Sequence, residues 1–425
     1  MRRRHFLSRT AGMAGAAALG LTGCGSGEAA ERNVTLKVLA ASYGRSVGSS
    51  IVDQWHAGIR TFEKKHPAIT IDLELVPIGE IDRTLARRVR SGQAPDIAQS
   101  YVFADYAEAR QLYGAEELFS IPAQADFITT FARAGEVDFT QYGIPFLAST
   151  PRLFYNKRLF AQAGLSGPPT SWSALRDAAV ALKASGVRTP YGLQFGPEAA
   201  EDEAMAWMLA AGGGCASPSG YDFVRQENIE ALSWVRSRLV EPGLAGADPT
   251  RFSRTAAYAA FLKGEVGMMT AHPVLIKAAD HARLPYGHTA FPRRSGGAAP
   301  PLGLSDWLMA FRRNGHRTEC GAFLNFLYSE QVATRFAAGQ GTLPVTVSGA
   351  ESLRARTSQR PLWEFLDQMP KAEFPPVGRS SWPTVRDAIR KRIGQAVTAD
   401  GNPRHVLDTL QATASAAEEA ADGGA

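Results

Sequence analysis

The sequence lacks several of the motifs by which enzymes and metal proteins are recognised. It contains no His-Glu-x-x-His, no Cys-x-x-Cys, no P-loop and no Gly-x-Gly-x-x-Gly, which removes the common local signatures of zincins, dithiol sites and nucleotide sites. His272, His281 and His288 are nine and seven residues apart, and this spacing fits no zinc-ligand pattern. We therefore expect neither a bound metal nor a cofactor.

Cysteine is scarce, with three residues in a chain of 425. Cys215 and Cys320 lie in separate segments with no motif around them. An oxidising compartment would permit a disulfide between them, whereas two buried thiols would require no particular geometry. The sequence leaves both possibilities open and slightly favours free thiols.

A large excess of one charge is also missing from most of the chain. The formal net charge of +5 arises mainly from residues 1–23, which contain four arginines and no acid. Of the 46 basic residues, 42 then remain against 41 acidic residues. Because no long basic run with interleaved aromatics occurs, we expect no nucleic-acid partner.

The N-terminal segment is typical of an export signal. Arginines at positions 2–4 precede an uncharged stretch, 10–23, which is too short to span a bilayer. Arg3-Arg4-His5-Phe6-Leu7 resembles a twin-arginine signal, and Leu21-Thr22-Gly23-Cys24 resembles a lipobox. We expect a signal peptide over 1–23, a lipid on Cys24 and a flexible tether over 24–32. The alternative is an ordinary secretory signal with a chance cysteine.

Strand and helix patterns alternate at the start of the mature chain. Apolar alternation from Val34 predicts a strand, 51–65 a helix, 69–75 a strand, 78–89 a basic helix and 94–98 the opening of a third strand. Crossovers of this length predict a parallel sheet with helices on both faces. Ligands bind beyond the carboxyl ends of such strands, which places Tyr43 and residues 100–105 at the expected cleft.

Residues 142–175 form the most distinctive stretch. Four short motifs follow one another there: Gly143-Ile144-Pro145, Tyr155-Asn156-Lys157, Ala163-Gly164-Leu165 and Pro169-Thr170-Ser171-Trp172. Apart from one residue inserted before the tryptophan, this order resembles the passage between the two lobes of extracellular solute-binding proteins of ABC importers. The resemblance is to the carbohydrate-type family that includes maltose-binding protein, and it covers nearly all of the mature chain.

The resemblance implies an α/β fold of the periplasmic-binding-protein type. Two lobes, joined by two or three crossover segments, would enclose a ligand cleft. The first lobe would comprise residues 33–147 plus 310–347, and the second 150–303 plus 350–425. The implied function is that of a lipid-anchored binding protein on the extracytoplasmic face of the cell membrane. It would capture a sugar or sugar-like solute and deliver it, as a monomer, to the transmembrane subunits of an ABC permease.

Sugar binding requires flat aromatic faces and polar partners for hydroxyls that would otherwise be buried unpaired. Positions that the family uses for ligand contacts carry both kinds of side chain here, and Trp382, at the start of a helix, is the strongest candidate. The predicted ligand-binding set is Tyr43, Tyr101, Asp105, Glu198, His272, Asp306, Trp307, Arg379 and Trp382. For both tryptophans a purely structural packing role is the alternative, and for Glu198 it is a solvated surface acid.

Two features leave the nature of the solute open. Ala271-His272-Pro273 stands where many relatives have a glycine and a nearby tryptophan that stacks on sugar. Arg379, if it lies in the cleft, would suit a phosphate or carboxylate group. An anionic sugar derivative therefore competes with a neutral oligosaccharide.

Two other classes of function remain as alternatives on the same scaffold. A secreted glycan-active enzyme could use two of the acidic residues as a general acid and base, although nothing in the sequence brings any two to a defined separation. The acids considered are Asp96, Asp105, Glu198, Asp202 and Asp306. A receptor that passes its closed state to a sensor protein is the second alternative.

Overall fold

A computed structural model of the protein describes residues 33–43, 51–198, 200–217 and 220–423. The export signal, the lipobox with Cys24 and the tether lie outside the described residues. The described chain forms two α/β lobes, each built around one main sheet. We call them the first lobe, around the five-stranded sheet, and the second lobe, around the four-stranded sheet.

Most strands belong to the two main sheets, and the rest form two short hairpins. In chain order the strands are β1 Val34–Ser42, β2 Ile69–Pro77, β3 Ile97–Ser100, β4 Glu136–Val137, β5 Thr140–Gln141, β6 Ile144–Ser149, β7 Arg152–Asn156, β8 Thr189–Tyr191, β9 Ala216–Ser217, β10 Gly220–Tyr221, β11 Val266–Ala271, β12 Tyr286–Thr289 and β13 Leu304–Ala310.

The helices pack on the two sheets and connect their strands. They are α1 Ile51–Lys65, α2 Ile81–Arg90, α3 Ala104–Glu108, α4 Ala115–Leu118, α5 Ile121–Ala125, α6 Thr129–Ala134, α7 Lys157–Gln162, α8 Trp172–Ala184, α9 Ala200–Ala211, α10 Gln226–Val235, α11 Arg254–Leu262, α12 Val274–His281, α13 Arg317–Leu327, α14 Glu330–Gln340, α15 Val347–Arg354, α16 Trp363–Leu366, α17 Trp382–Arg392 and α18 Pro403–Asp422. Short 3₁₀ or π turns occupy Ile78–Glu80, Arg236–Val240, Thr357–Leu362, Met369–Lys371 and Ile393–Val397.

The first sheet has the strand order β2-β1-β3-β13-β6. β1 lies parallel to both β2 and β3, which confirms the parallel unit predicted from the alternating pattern. β13 runs antiparallel to β3 and to β6, with Trp307 opposite Ser100. This returning strand therefore brings a chain segment from far along the sequence beside the carboxyl end of β3.

The second sheet has the order β12-β7-β11-β8, in which β7 is antiparallel to β11 and β12 and β11 is parallel to β8. Only Thr150 and Pro151 separate β6 of the first sheet from β7 of the second. The chain thus changes lobe within the stretch that predicted a crossover. It returns to the first lobe between β12 and β13 and passes to the second lobe again after α15.

Local capping explains where helices begin after the first crossover. The Asn156 side chain caps α7 by accepting from the backbone N–H groups of Arg158 at 3.0 Å and Leu159 at 3.2 Å. Ser171 caps α8 by accepting from the Ala174 N–H at 3.1 Å. Each such cap contributes about 1 kcal/mol to helix stability. The apolar residues of α8 recur at helical spacing and are buried, namely Trp172, Leu175, Ala178, Ala179 and Leu182.

The structure also bears on the cysteines, on the end of β8 and on membrane spans. Cys215 and Cys320 are both buried and free, as the sequence slightly favoured. β8 ends at Tyr191, and beyond it the Gln194 amide donates to the Thr270 carbonyl at 2.8 Å. Within the described residues, every helix is too short or too polar to cross a membrane.

Candidate functional site

A cleft of about 580 Å³ lies between the two lobes. Its first-lobe wall includes Tyr43 after β1, Tyr101 after β3, and Asp306 on β13. Its second-lobe wall is formed largely by the start of α9 and by α11, α12 and α17. The carboxyl ends of β1 and β3 therefore open on the cleft, as expected for parallel strands, and its volume suits a small organic solute.

Asp306 is the central acid of the first-lobe wall. Its Oδ2 accepts hydrogen bonds from the Tyr43 hydroxyl and, at 2.9 Å, from the Gln99 amide. The Gln99 amide also donates to the Tyr43 hydroxyl oxygen at 2.5 Å. Burial raises the pKa of Asp306 to about 8, so a carboxyl group that can be protonated near neutrality faces the cleft.

The second-lobe wall contains an acidic run at the start of α9. Asp202 lies 3.6 Å from the Arg254 guanidinium, and Glu198 lies 3.8 Å from it. Burial raises the pKa of Asp202 to about 7, and the charge of neighbouring Glu201 adds to this rise while Arg254 opposes it. Burial tends to raise the pKa of Glu198, but hydrogen bonds from Thr255 bring it below its usual value. Arg254 therefore lies between two carboxylates of different basicity.

His272 joins the two lobes at the floor of the cleft. Its Nδ1 lies 2.8 Å from the Ser149 hydroxyl on β6, and its backbone N–H donates to the Tyr258 hydroxyl at 2.8 Å. Burial, with a further contribution from Arg254, lowers the pKa of His272 to about 3. The imidazole is therefore neutral at physiological pH, so it can donate one hydrogen bond and accept another without adding a charge.

One face of α17 is directed at the cleft. Trp382, Arg386 and Arg390 are spaced four residues apart, so they share a helix face, and all three line the cleft. Arg390 donates from Nε to Glu201 at 2.7 Å within the second lobe. Arg386 reaches the first lobe, where its guanidinium lies 3.3 Å from Asp82 and 5.8 Å from the Tyr101 ring centroid.

Two polar atoms of this wall are buried without a hydrogen-bond partner among the described residues. They are Oε2 of Glu201 and Nε of Arg386. Burying an unpaired polar group costs about 1–3 kcal/mol, and more when the group is charged. Both atoms have almost no accessible surface, and Arg386 Nε lies 3.9 Å from Asp387 Oδ1, so they belong to the packed wall of the cleft.

The structure brings seven of the nine predicted ligand-binding residues to the cleft: Tyr43, Tyr101, Glu198, His272, Asp306, Trp307 and Trp382. The two tryptophans are nonetheless largely buried, with exposed fractions of 1% for Trp307 and 3% for Trp382. Trp307 packs against Phe103 with ring centroids 5.2 Å apart. Trp382 belongs to the core of the second lobe with Val385 and Ile389. Both side chains thus pack in a core as well as line the cleft.

The other two predicted residues lie outside the cleft. Asp105 is exposed on the short helix α3. Arg379 lines a separate groove, where its guanidinium donates to Glu418 of α18 at 2.6 Å. Among the described residues, the arginines that line the cleft are Arg254, Arg386 and Arg390.

Sequence reasoning missed the three cleft arginines of the described chain, together with Asp82 and Gln99, and it chose Glu198 over the neighbouring acid Glu201, which also lines the cleft. The spacing of four between Trp382, Arg386 and Arg390 was a signal that could have identified one helix face as functional. No local pattern marks Asp82 or Gln99, because one cleft partner of each, Arg386 for Asp82 and Asp306 for Gln99, lies more than 200 residues away in the chain.

Catalytic alternatives can be examined against the same residues. In the described part of the chain, no group of three or more His, Cys, Asp or Glu side chains could hold a metal ion. One run, Gly44-Arg45-Ser46-Val47-Gly48, matches the Gly-x-Ser-x-Gly pattern of serine hydrolases between β1 and α1. It lies outside the described residues, so a hydrolytic role for Ser46 has to be tested by activity.

Two α/β lobes around a polar, aromatic-lined cleft define a two-lobed solute-binding protein. The family model for bacterial extracellular solute-binding proteins matches residues 48–334, and the chain belongs to this family. The family consists of binding proteins rather than enzymes. The resemblance inferred from the motifs of residues 142–175 is thereby confirmed.

Relatives of known sequence and structure agree with this assignment. A binding protein of Brucella abortus is 27% identical over 371 residues, covering 84% of this chain and 88% of its own. The sn-glycerol-3-phosphate-binding periplasmic protein UgpB of Yersinia enterocolitica is 25% identical over 385 residues, covering 80% of this chain and 84% of its own. The cyclic alpha-maltosyl-1,6-maltose binding protein of Arthrobacter globiformis has the same fold, with a TM-score of 0.77 at 21% identity, over 91% of this chain and 99% of its own.

Proposed function

We propose that this protein captures a small, hydroxyl-rich, sugar-like solute between its lobes and delivers it to the transmembrane subunits of an ABC importer. The observation that carries the proposal is the cleft of about 580 Å³, whose walls bring the carboxyl groups of Asp202 and Asp306 together with the Arg254 guanidinium. A hydroxyl group both donates and accepts, so the hydroxyls of one solute can bond to carboxyl and guanidinium groups alike.

The charge balance of the cleft favours a neutral solute. Each cleft arginine already faces carboxylates: Arg254 faces Glu198 and Asp202, Arg386 faces Asp82, and Arg390 faces Glu201. An anionic solute would have to compete with these carboxylates, whereas a neutral polyol can add hydrogen bonds to the existing pairs.

A phosphorylated polyol is the second candidate. Arg254 meets its described acidic partners only at 3.6 and 3.8 Å, which is longer than a hydrogen bond, so its donors remain able to engage a phosphate. The name of the relative UgpB, a glycerol-3-phosphate-binding protein, points in the same direction.

A thermal-shift screen against neutral sugars, polyols and their phosphates tests the proposal. A ligand present at a hundredfold excess over its Kd should stabilise the protein by about 2.7 kcal/mol. The variant Arg254→Met should lose most of the shift produced by the best compound. Arg294→Met is the matched control, because Arg294 forms an exposed ion pair with Glu230 on the surface.

The outcomes separate the competing functions. A shift produced by neutral sugars but not by their phosphates supports the neutral solute, and the reverse result supports the phosphorylated polyol. If no compound shifts the wild type, the proposal fails. Hydrolysis of a screened glycan or of an ester substrate would instead show that the protein is an enzyme. If Ser46→Ala then loses the ester hydrolysis, that activity belongs to the Gly44–Gly48 run.

We further propose that Cys24 carries the lipid that anchors the protein, and that Arg3-Arg4 directs it to twin-arginine export. The support is the sequence pattern, together with a family defined as extracellular.

Cys24→Ala should release the protein from the membrane fraction or leave it uncleaved, because two acyl chains hold a protein far more firmly than one or none. Fractionation and labelling with a fatty-acid analogue measure this, with Cys215→Ser as the control that keeps the lipid. A Cys24→Ala protein that is cleaved but still membrane-bound would contradict the anchor.

A further inference from the structure

Asp306 is the one acid in the described lining of the cleft without a cation beside it. That lining contains four acids and three arginines, and one of the arginines, Arg386, pairs with Asp82 outside the lining. The other acids each lie beside an arginine, namely Glu198 and Asp202 beside Arg254 and Glu201 beside Arg390. Burial raises the pKa of Asp306, and no positive charge opposes the rise. When Asp306 is ionised, its charge is therefore uncompensated.

The carboxyl group of Asp306 has one oxygen atom bonded and one oxygen atom open. Oδ2 accepts from the Tyr43 hydroxyl and, at 2.9 Å, from the Gln99 amide. Oδ1 accepts no hydrogen bond from the described residues, yet it is not fully buried, in contrast to Glu201 Oε2 and Arg386 Nε. Because Asp306 lines the cleft, Oδ1 is the oxygen atom that a bound solute can reach.

The backbone presents Asp306 at an irregular point of the first sheet. Between the ladder pairs of Ser305 and Trp307, two residues of β6, Phe146 and Leu147, lie opposite the single residue Asp306. A bulge of this kind re-aims side chains and is common beside binding sites. Leu147 also lines the cleft, so apolar surface adjoins the acid. A carboxylate next to apolar surface is poorly solvated, and a bound cation would stabilise it.

Building on the solute-binding function proposed above, we propose that the solute is an amino sugar or amino polyol whose protonated amino group donates to Oδ1 of Asp306. An ammonium group supplies three donors and a positive charge, and its hydrogen bond to a carboxylate is about twice as strong as one between neutral groups. A hydroxyl group could also donate to Oδ1, but it would leave the carboxylate charge uncompensated. The cleft arginines are already matched by carboxylates, so the rest of the solute is uncharged and hydroxyl-rich.

Compounds that differ in one group test the amino group directly. Glucosamine is compared with glucose, and galactosamine with galactose, by thermal shift and by isothermal titration calorimetry of the full mature chain at neutral pH. The N-acetylated amino sugars are the size control, because acetylation keeps the nitrogen but removes its charge. We expect at least one amino sugar to bind about tenfold more tightly than both its hydroxyl parent and its N-acetyl derivative.

Two substitutions in the cleft assign the preference to a particular acid. Asp306→Asn keeps an acceptor for Tyr43 and Gln99 but removes the charge, so the amino sugar should lose about tenfold in affinity while its hydroxyl parent changes little. Glu198→Gln is the matched comparison, because Glu198 already lies beside Arg254. In Glu198→Gln the ratio between the two affinities should stay at the wild-type value.

The results distinguish failure of the amino-group subsite from failure of the proposed function. If neutral or phosphorylated compounds bind the wild type as tightly as the amino sugars, the subsite is overturned while solute binding stands. A preference for amino sugars that persists in Asp306→Asn would overturn the assignment to Asp306. If no compound of any kind binds the wild type, the proposed function fails and the subsite fails with it. The wild-type comparison needs no variant, so it decides on the amino group even if Asp306→Asn does not fold.

Discussion

Replacing Trp382 with alanine is expected to lower the free energy of unfolding of the solute-free protein by about 3–5 kcal/mol. Trp382 is only 3% exposed and lies in the core cluster of the second lobe, so the substitution removes a large buried side chain and leaves a cavity. Urea or thermal unfolding of the two proteins measures the change. This expectation follows the packing role that the sequence analysis gave as the alternative to a ligand contact at Trp382.

The variant Trp382→Phe separates packing from ligand contact. Phenylalanine keeps most of the buried apolar volume but presents a smaller aromatic face, so we expect a loss of about 1–2 kcal/mol in stability. If the indole also contacts the solute, the affinity of Trp382→Phe for the solute falls by more than its loss of folding stability explains. An unchanged melting temperature in Trp382→Ala, together with lost affinity, would instead show that the side chain contributes to binding and not to the core.

The parts of the fold that the sequence predicted are those set by neighbouring residues. Asn156 and Ser171 lie directly before apolar residues at helical spacing, a local pattern typical of a helix start, and each caps the helix that follows it. The alternation from Val34 onward predicts the parallel arrangement of β1, β2 and β3 because crossovers of such length have few alternatives. In each case the information lies within a few residues of the element.

The parts of the site that the sequence missed depend on contacts between distant segments. Gln99, which the sequence did not indicate, contacts the predicted residue Asp306, which lies 207 residues away in the chain. Arg379 and Arg386 lie close together in the sequence. Arg379 nevertheless pairs with Glu418 in an outer groove, whereas Arg386 reaches Asp82 across the cleft. Which arginine faces the cleft depends on how α17 packs against α18 and α9, and no local pattern specifies that packing.

The stability of the solute-free protein is expected to decrease as the pH rises, and Asp306→Asn should remove much of this dependence. Burial raises the pKa of Asp306 from 3.8 to about 8, so the folded protein retains a proton that the unfolded chain loses above pH 4. The folded state therefore becomes progressively less favourable between about pH 4 and pH 8. Asparagine stays neutral and can still accept from Tyr43 and Gln99.

Each pKa unit corresponds to 1.36 kcal/mol, so a shift from 3.8 to about 8 sets a ceiling of about 5–6 kcal/mol on the effect. The hydrogen bonds that Tyr43 and Gln99 donate to the carboxylate reduce this cost, and we expect Asp306→Asn to be about 2–3 kcal/mol more stable than the wild type at pH 8.5. The difference should become small at pH 5. Asp177→Asn is the control, because Asp177 is exposed and should change stability by less than about 0.5 kcal/mol at either pH. Urea unfolding at both pH values measures the difference in unfolding free energy between Asp306→Asn and the wild type. If this difference is the same at pH 5 and pH 8.5, Asp306 does not titrate between these pH values.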